Sequence, residues 1–339
     1  MSDTMRVLFF DGPRQFHIEQ RPLPAPGLGQ VRIRVAYTGI CGSDLHGYTG
    51  ESGRRVPGMV MGHEASGWID GYGQDVDGLA SGTPVTFNPS LACDGSCGHQ
   101  VENQCSRLRV VGVTPDVPGA FADAVVVPAN RVVPIDGTRM RAGAAIEPVA
   151  VGIQAVRRAG VTSGDEVLVI GGGMIGQCVA RAARLAGAGR TIVADLSAER
   201  NELSSRSGFE AMEPGAVPLG QFDRAFDAVG TSPTASMAIS AVRKGGVACF
   251  VGLGRPEVTV PLFDIVVGER HVVGTFAYTD QAFNDAAALM TREEFDIDLL
   301  IGPTVSLEET PDAFAALADQ NRSEVKIMMN TGAEATGAA

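Results

Sequence analysis

The stretch VLVIGGGMIG, residues 167–176, constrains this chain more than any other. Val167, Leu168, Val169 and Ile170 form a short apolar run of the kind that makes a buried strand, and the run opens directly onto glycines. Gly171, Gly173 and Gly176 then stand at G-x-G-x-x-G spacing, and the helical pattern QCVARAARLAGA follows. In that setting the first glycine makes the tight turn, the second lets the backbone approach a pyrophosphate, and the third allows close helix–strand packing. The helix N-terminus at Gly173, Met174 and Ile175 turns its N–H groups toward the phosphates. Asp195 closes the next strand, RTIVADL, where its carboxylate would bind ribose hydroxyls and repel a 2′-phosphate. NAD is therefore favoured over NADP, although Arg200, close behind, could tolerate a phosphate.

Around this turn the chain alternates. AVGIQAVRRAG and SPTASMAISAVRKG read as helices, and RAFDAVG, GVACFVGL and VVGTFAY as strands. Strands alternating with helices predict an α/β fold with a doubly wound parallel sheet. The first half differs: RVLFF, HIEQ, QVRIRVAYTGI, ASGWIDG and DAVVVP are strand-like runs between Gly, Pro and Asp turns. They predict an irregular, mostly antiparallel, barrel-like domain. Beyond Tyr278, DQAFNDAAALMTRE and TPDAFAALADQ read as helices and EVKIMMN as a last strand. The expected division is 1–148, 149–278 and a C-terminal segment 279–339.

Length and charge narrow the function. At 339 residues two domains are the natural expectation, and a formal charge of −12 argues against a nucleic-acid surface. No apolar run approaches a membrane span, and MSDTMRVLFFDG reads straight into a strand without a signal-peptide pattern, so a cytoplasmic enzyme is expected. Six cysteines are present. Cys178 and Cys249 fall in apolar helix and strand patterns and read as core thiols. Cys93, Cys97 and Cys105 cluster, which in a reducing compartment points to metal and not to disulfides.

A second constellation lies in GICGSDLHGY, 39–48, and GHEASG, 62–67. Cys41, His63 and Glu64 offer sulfur, nitrogen and oxygen donors, a mix that suits Zn²⁺. Neighbours on a straight strand point to opposite faces, so His63 and Glu64 share an ion only if the backbone bends, and Gly62 permits that. Glu147, in IEPVAVG, is a further candidate at the junction of the two halves, where ligand clefts tend to form.

Taken with the glycine turn, these motifs make the chain resemble the zinc-dependent medium-chain dehydrogenases, and specifically their polyol (sorbitol/L-iditol) branch. GICGSDLH, GHEASG, EPVAVG, VLVIGGGMIG, VADLSAER and FDAVG carry the resemblance, which extends over essentially the whole chain. It implies a GroES-like β-rich catalytic domain, a Rossmann domain, and return of the C-terminal segment to the first. It also implies that Cys41, His63 and Glu64 are zinc ligands, and that Glu147 either ligates the zinc or holds its water. Simple-alcohol dehydrogenases carry a cysteine at the position of Glu147, which favours the polyol branch.

The lobe at about 88–106 departs from the family. Related enzymes hold a structural zinc with four cysteines spaced C-x2-C-x2-C-x7-C. Here NPSLACDGSCGHQVENQC supplies Cys93, Cys97 and Cys105 only. Cys97 and Cys105 keep the last interval, which drops the earlier positions on Leu91 and Asp94. Either Asp94 or His99 completes a site with Cys93 after a loop shift, or the lobe holds reduced thiols without metal.

The implied reaction is reversible oxidation of a secondary alcohol to a ketone by hydride transfer to the nicotinamide, with zinc as Lewis acid. By resemblance Ser43 accepts the alcohol proton and His46 passes it to solvent, while Asp44 reads as a turn-stabilising residue. Val251, Gly252 and Leu253, and Phe276, Ala277 and Tyr278, match segments that line the nicotinamide. Tyr48, Glu147 and Trp68 are candidates for a polyol's outer hydroxyls. Family members form homodimers or homotetramers through edge strands of the Rossmann sheet, and PEVTVPLFD is the expected edge here. Threonine, cyclitol and simple secondary-alcohol oxidation are alternatives within the family. A zinc-free quinone or enone reductase and a non-catalytic nucleotide-binding protein are the rivals outside it.

Overall fold

Six parallel strands carry the glycine turn. Across the sheet they run Glu210–Met212, Arg190–Ala194, Glu166–Ile170, Phe222–Asp227, Val242–Phe250 and His271–Gly274. The strand that ends at Gly171 is thus central, and the order reverses beside it, the arrangement in which doubly wound sheets bind dinucleotides. Helix Met174–Leu185 follows that strand directly, and its buried face includes Cys178, Val179, Ala182 and Ala183. The computed structural model describes residues 3–290, 295–319 and 324–333.

Two compact units divide the chain. The first comprises Met1–Glu147, Ala287–Glu293 and Ile301–Ala339, and the second Pro148–Ala286 and Glu294–Leu300. Helix Asp280–Leu289 carries the second unit on to Ala286, beyond the boundary expected at Tyr278. Among the described residues no helix is long and apolar enough to cross a membrane.

The first unit is built on strand Gln30–Gly39. Strands Glu64–Tyr72, Ala124–Pro128 and Met328–Asn330 all pair with it antiparallel. Gly39 lies opposite Glu64 on one side and Met328 on the other, so the end of this strand brings residues 40, 64 and 326–328 together. A separate sheet holds Thr4–Gly12 between Gln15–Pro22 and Met59–Val60. Phe10, Tyr48, Phe121 and Phe314 join the apolar cluster of this unit, with Phe16 stacked on Tyr48 at 5.1 Å.

Three sequence expectations change here. SPTASMAISAVRKG stops being helical at Ala241, because Val242 turns to extended backbone and starts the strand Val242–Phe250. PEVTVPLFD is not the sheet edge: Pro261 caps helix Leu262–Gly268, and His271–Gly274 is the outer strand. Pro256 and Pro261 lack the N–H that a paired strand donates. Tyr48 is core, its ring between Phe16 and Phe314 and its hydroxyl toward the carbonyl of Arg14, and not a polyol contact.

Candidate active site

Gly62 has φ +100°, a left-handed conformation that bends the chain just before His63 and Glu64. A Cβ there would lie 2.8 Å from the backbone nitrogen of Phe121, so the bend is also packed shut. As a result the donor atoms of Cys41, His63 and Glu64 all lie within 4.8 Å of one another. Cys41 immediately precedes helix Gly42–Tyr48, which also carries Ser43, Asp44 and His46. Ser43 Oγ donates to Cys41 Sγ at 3.4 Å. Glu147 is half-buried and stands outside this donor cluster, in the same unit. Trp68 is half-buried on strand Glu64–Tyr72, paired opposite Arg34 and Pro84.

A second donor cluster forms in the cysteine lobe. Cys93, Cys97, His99 and Cys105 bring four donor atoms within 4.8 Å of one another. Cys97 Sγ lies 3.6 Å from Cys105 Sγ and 3.1 Å from His99 Nδ1, and Cys105 Sγ lies 3.5 Å from Cys93 Sγ. A tetrahedral zinc with Zn–S bonds of about 2.3 Å would space its sulfurs about 3.8 Å apart, close to these separations. The register expected from C-x2-C-x2-C-x7-C does not apply: Asp94 turns its carboxylate to the backbone N–H of Ser96, and the donor that joins the cysteines is His99. The His99 hydrogen bond pushes the Cys97 thiol down to about 5, and His99 is raised in turn. Backbone N–H groups of Cys93 and Arg107 donate to Cys105 Sγ, each at 3.4 Å.

In the second unit two glycines of the fingerprint, Gly171 and Gly176, have a steric reason. Gly171 has φ +98°. A Cβ on Gly176 would lie 1.7 Å from the carbonyl oxygen of Gly171, whereas one on Gly173 meets nothing within 4 Å. No protein atom crowds position 173, whereas Gly176 allows the helix to touch the turn that follows the strand. Met174 is buried and Ile175 half-buried behind them. The Asp195 carboxylate accepts from Gly172 N at 2.6 Å and Ser197 N at 2.8 Å, with Arg200 Nη1 3.6 Å away.

Val251 and Gly252 both donate their N–H to the carbonyl of Asp227 at 2.9 Å, and Leu253 and Phe276 are exposed. Ala277 has φ +47°, an unusual conformation for a residue with a side chain. Tyr278 is buried against Phe283.

Known proteins share this architecture. Residues 27–137 match the alcohol dehydrogenase GroES-like domain, and residues 174–292 match the zinc-binding dehydrogenase family. L-galactonate-5-dehydrogenase of Escherichia coli (strain K12) is 32% identical over 323 residues, 91% of this chain and 94% of that protein. The chain belongs to the zinc-binding medium-chain dehydrogenases. Sorbitol dehydrogenase of Arabidopsis thaliana is 31% identical over 332 residues, 91% of this dehydrogenase and 90% of that one. The NADP-bound structure of a protein from Sinorhizobium meliloti 1021 superposes with a TM-score of 0.89 at 28% identity, covering 97% of this chain and 100% of that one. These similarities place the enzyme among NAD(P)-linked zinc dehydrogenases of the sugar-alcohol branch.

Three side chains around the donor cluster of this dehydrogenase were not assigned their role from sequence. Asp44 is no surface turn residue: it is fully buried, with one oxygen 2.9 Å from Arg55 Nη2 and the other 3.5 Å from His63 Nδ1. Burial opposes its charge, but His63 and Arg55 outweigh burial and hold the carboxyl below its ordinary value. Burial likewise opposes charge on His63, yet Asp44 and Cys41 raise its pKa well above that of a free imidazole. Nδ1 faces Asp44 at 3.5 Å, and a metal binding at either ring nitrogen must displace any proton there.

Lys326 is the third, after Asp44 and its partner Arg55. Its Nζ lies 2.8 and 2.6 Å from the two oxygens of Glu64 and 3.0 Å from the carbonyl of Ile40. Burial opposes its charge, and Glu64 and Cys41 restore it above the ordinary lysine value. Gly39 makes room for this pair, because a Cβ there would lie 2.2 Å from Glu64 Oε2. A sequence signal existed: Lys326 is a lone charge in the apolar run VKIMM.

Proposed function

We propose that this dehydrogenase oxidises a secondary hydroxyl of a polyol or sugar alcohol to the ketone, reversibly, with zinc and NAD. The observation that carries this reading is the convergence of Cys41, His63 and Glu64 within 4.8 Å, in a chain of a zinc-binding dehydrogenase family. A thiol, an imidazole and a carboxylate at that separation fit Zn²⁺, with Cys41, His63 and Glu64 as the residues that hold it. Each oxygen of Glu64 keeps a lone pair beside its bond to Lys326, so the ion pair and metal ligation are compatible.

When bound, zinc supplies Lewis acidity toward the substrate hydroxyl and the nicotinamide supplies the hydride acceptor. Ser43 accepts the proton of that hydroxyl, and its Oγ, 3.4 Å from Cys41 Sγ, is at the edge of the donor cluster. His46, one turn along the same helix, passes the proton to solvent. Glu147, outside the donor cluster, holds a water or an outer substrate hydroxyl. Asp195 holds the adenosine ribose, and its carboxylate at the end of the strand favours NAD.

Cys93, Cys97, His99 and Cys105 hold a second, structural zinc in this reading. Their observed separations support a closed four-ligand site with no position left for substrate.

Self-association belongs to the same reading. Val272 on the edge strand is 42% exposed, and Phe263 and Val266 on the neighbouring helix are 76% and 66% exposed. An unpaired apolar edge of this kind is a template for a second copy. Light scattering on wild type and Val272→Lys checks it: a dimer or larger assembly that the lysine weakens is expected, and a monomeric wild type contradicts it.

The substrate class is tested by following NADH formation on sorbitol, other polyols, cyclitols, threonine, butanediol and aldonates such as L-galactonate. The highest kcat/KM on a polyol supports the reading. Turnover confined to enones or quinones overturns it.

A further inference from the structure

Arg55 is buried in the first unit, beside the donor cluster, and neither the mechanism nor the family resemblance gives it a task. Its side chain is 2% exposed, and it lies on Gly47, where a Cβ would stand 2.2 Å from Arg55 Cγ. Gly47 therefore vacates the space that the arginine stem occupies. A guanidinium is costly to bury unless its donors are used. Nη2 is used twice, toward Asp44 Oδ1 at 2.9 Å and Ser43 Oγ at 3.5 Å.

These contacts close a circuit. From Arg55 one path runs through Asp44, whose other oxygen lies 3.5 Å from His63 Nδ1. The other runs through Ser43, whose hydroxyl lies 3.4 Å from Cys41 Sγ. Both paths end on donors of the cluster that brings Cys41, His63 and Glu64 within 4.8 Å. We infer that Arg55 is a positioning residue for the metal centre: by fixing one oxygen of Asp44 it turns the other to His63 Nδ1, and it steadies Ser43 against Cys41. This inference rests on the assignment of Cys41, His63 and Glu64 as the zinc site.

The physical reason is orientation. A buried carboxylate with one anchored oxygen has a single way to face an imidazole, which fixes the ring and the nitrogen offered to the metal. Loss of such an outer partner weakens metal binding about 10- to 100-fold in general. Lysine keeps the charge but not the planar fork, so it restores the contact only in part.

The test compares wild type, Arg55→Met, Arg55→Lys and His63→Ala, each purified with zinc. Zinc affinity is read by competition with a chromophoric chelator, and site geometry by the visible spectrum of the Co²⁺-substituted protein. Arg55→Met is expected to bind zinc at this site about 10- to 100-fold more weakly, with an altered Co²⁺ spectrum. Arg55→Lys is expected to fall between Arg55→Met and wild type, and it decides the matter alone if the methionine variant does not fold. Wild-type affinity and an unchanged spectrum in either folded variant overturn the role of Arg55. If His63→Ala keeps the zinc content of wild type, the zinc-site assignment itself fails, whatever Arg55 does.

Discussion

Lys326 Nζ lies 2.6 and 2.8 Å from the two oxygens of Glu64, and neither side chain is open to solvent. The strand pairing of Gly39 with Glu64 and with Met328 brings them together from opposite ends of the chain. Glu64 thus already has a cationic partner before any metal arrives.

Removing that partner strands a buried carboxylate. Lys326→Met is expected to lower the unfolding free energy of metal-free protein by about 3–5 kcal/mol. Saturating zinc should recover part of the loss, because the ion stabilises the folded state of Glu64. Denaturant unfolding with and without zinc checks this, and unchanged metal-free stability would contradict it.

How far the sequence reaches can be seen in these same residues. The apolar strand before Gly171 and the helix after it are local patterns, and so the second unit is legible almost element by element. Cys41, His63 and Glu64 are legible as donors because their chemistry is unusual, and Gly62 because only a bend lets neighbours share an ion. The partners of those donors are not. Asp44 has the same local signature as any turn aspartate, and its burial against Arg55 and His63 is a matter of tertiary packing. His99 could be named as a candidate but not chosen over Asp94, since the choice depends on the Asx-type turn that occupies the Asp94 carboxylate. Lys326 meets Glu64 only through a strand pairing across the length of the chain.

For the lobe, His99→Ala and Cys97→Ser are each expected to lose about one zinc per chain by metal analysis, while Asp94→Ala keeps it. Cys97, His99 and Cys105 have donors in one cluster and Asp94 does not. Equal zinc content in His99→Ala and wild type would remove histidine from the ligand set.

Ser43→Ala is expected to lower kcat by about 10²- to 10⁴-fold, the range for a positioned proton acceptor, with zinc content unchanged. Steady-state kinetics with metal analysis on the same sample separates the two effects. Full turnover in the alanine variant would assign the proton to another group.

Asp195→Ala is expected to erode the preference for NAD over NADP by about tenfold or more, since hydrogen bonds to a charged group contribute about 1.5–3 kcal/mol. Asp195 also holds Gly172 N and Ser197 N, so weaker binding of both cofactors should accompany the change. The ratio of kcat/KM values for the two cofactors is the readout. An unchanged ratio would move discrimination away from this carboxylate.

If zinc held by Cys41, His63 and Glu64 is required for NAD-linked alcohol oxidation, chelation followed by reconstitution must switch the activity off and on. NADH formation on the best polyol should disappear as zinc is withdrawn from that site and return with its restoration, in wild type but not in His63→Ala. Undiminished oxidation by protein shown to be zinc-free would mean that the metal has no part in the reaction.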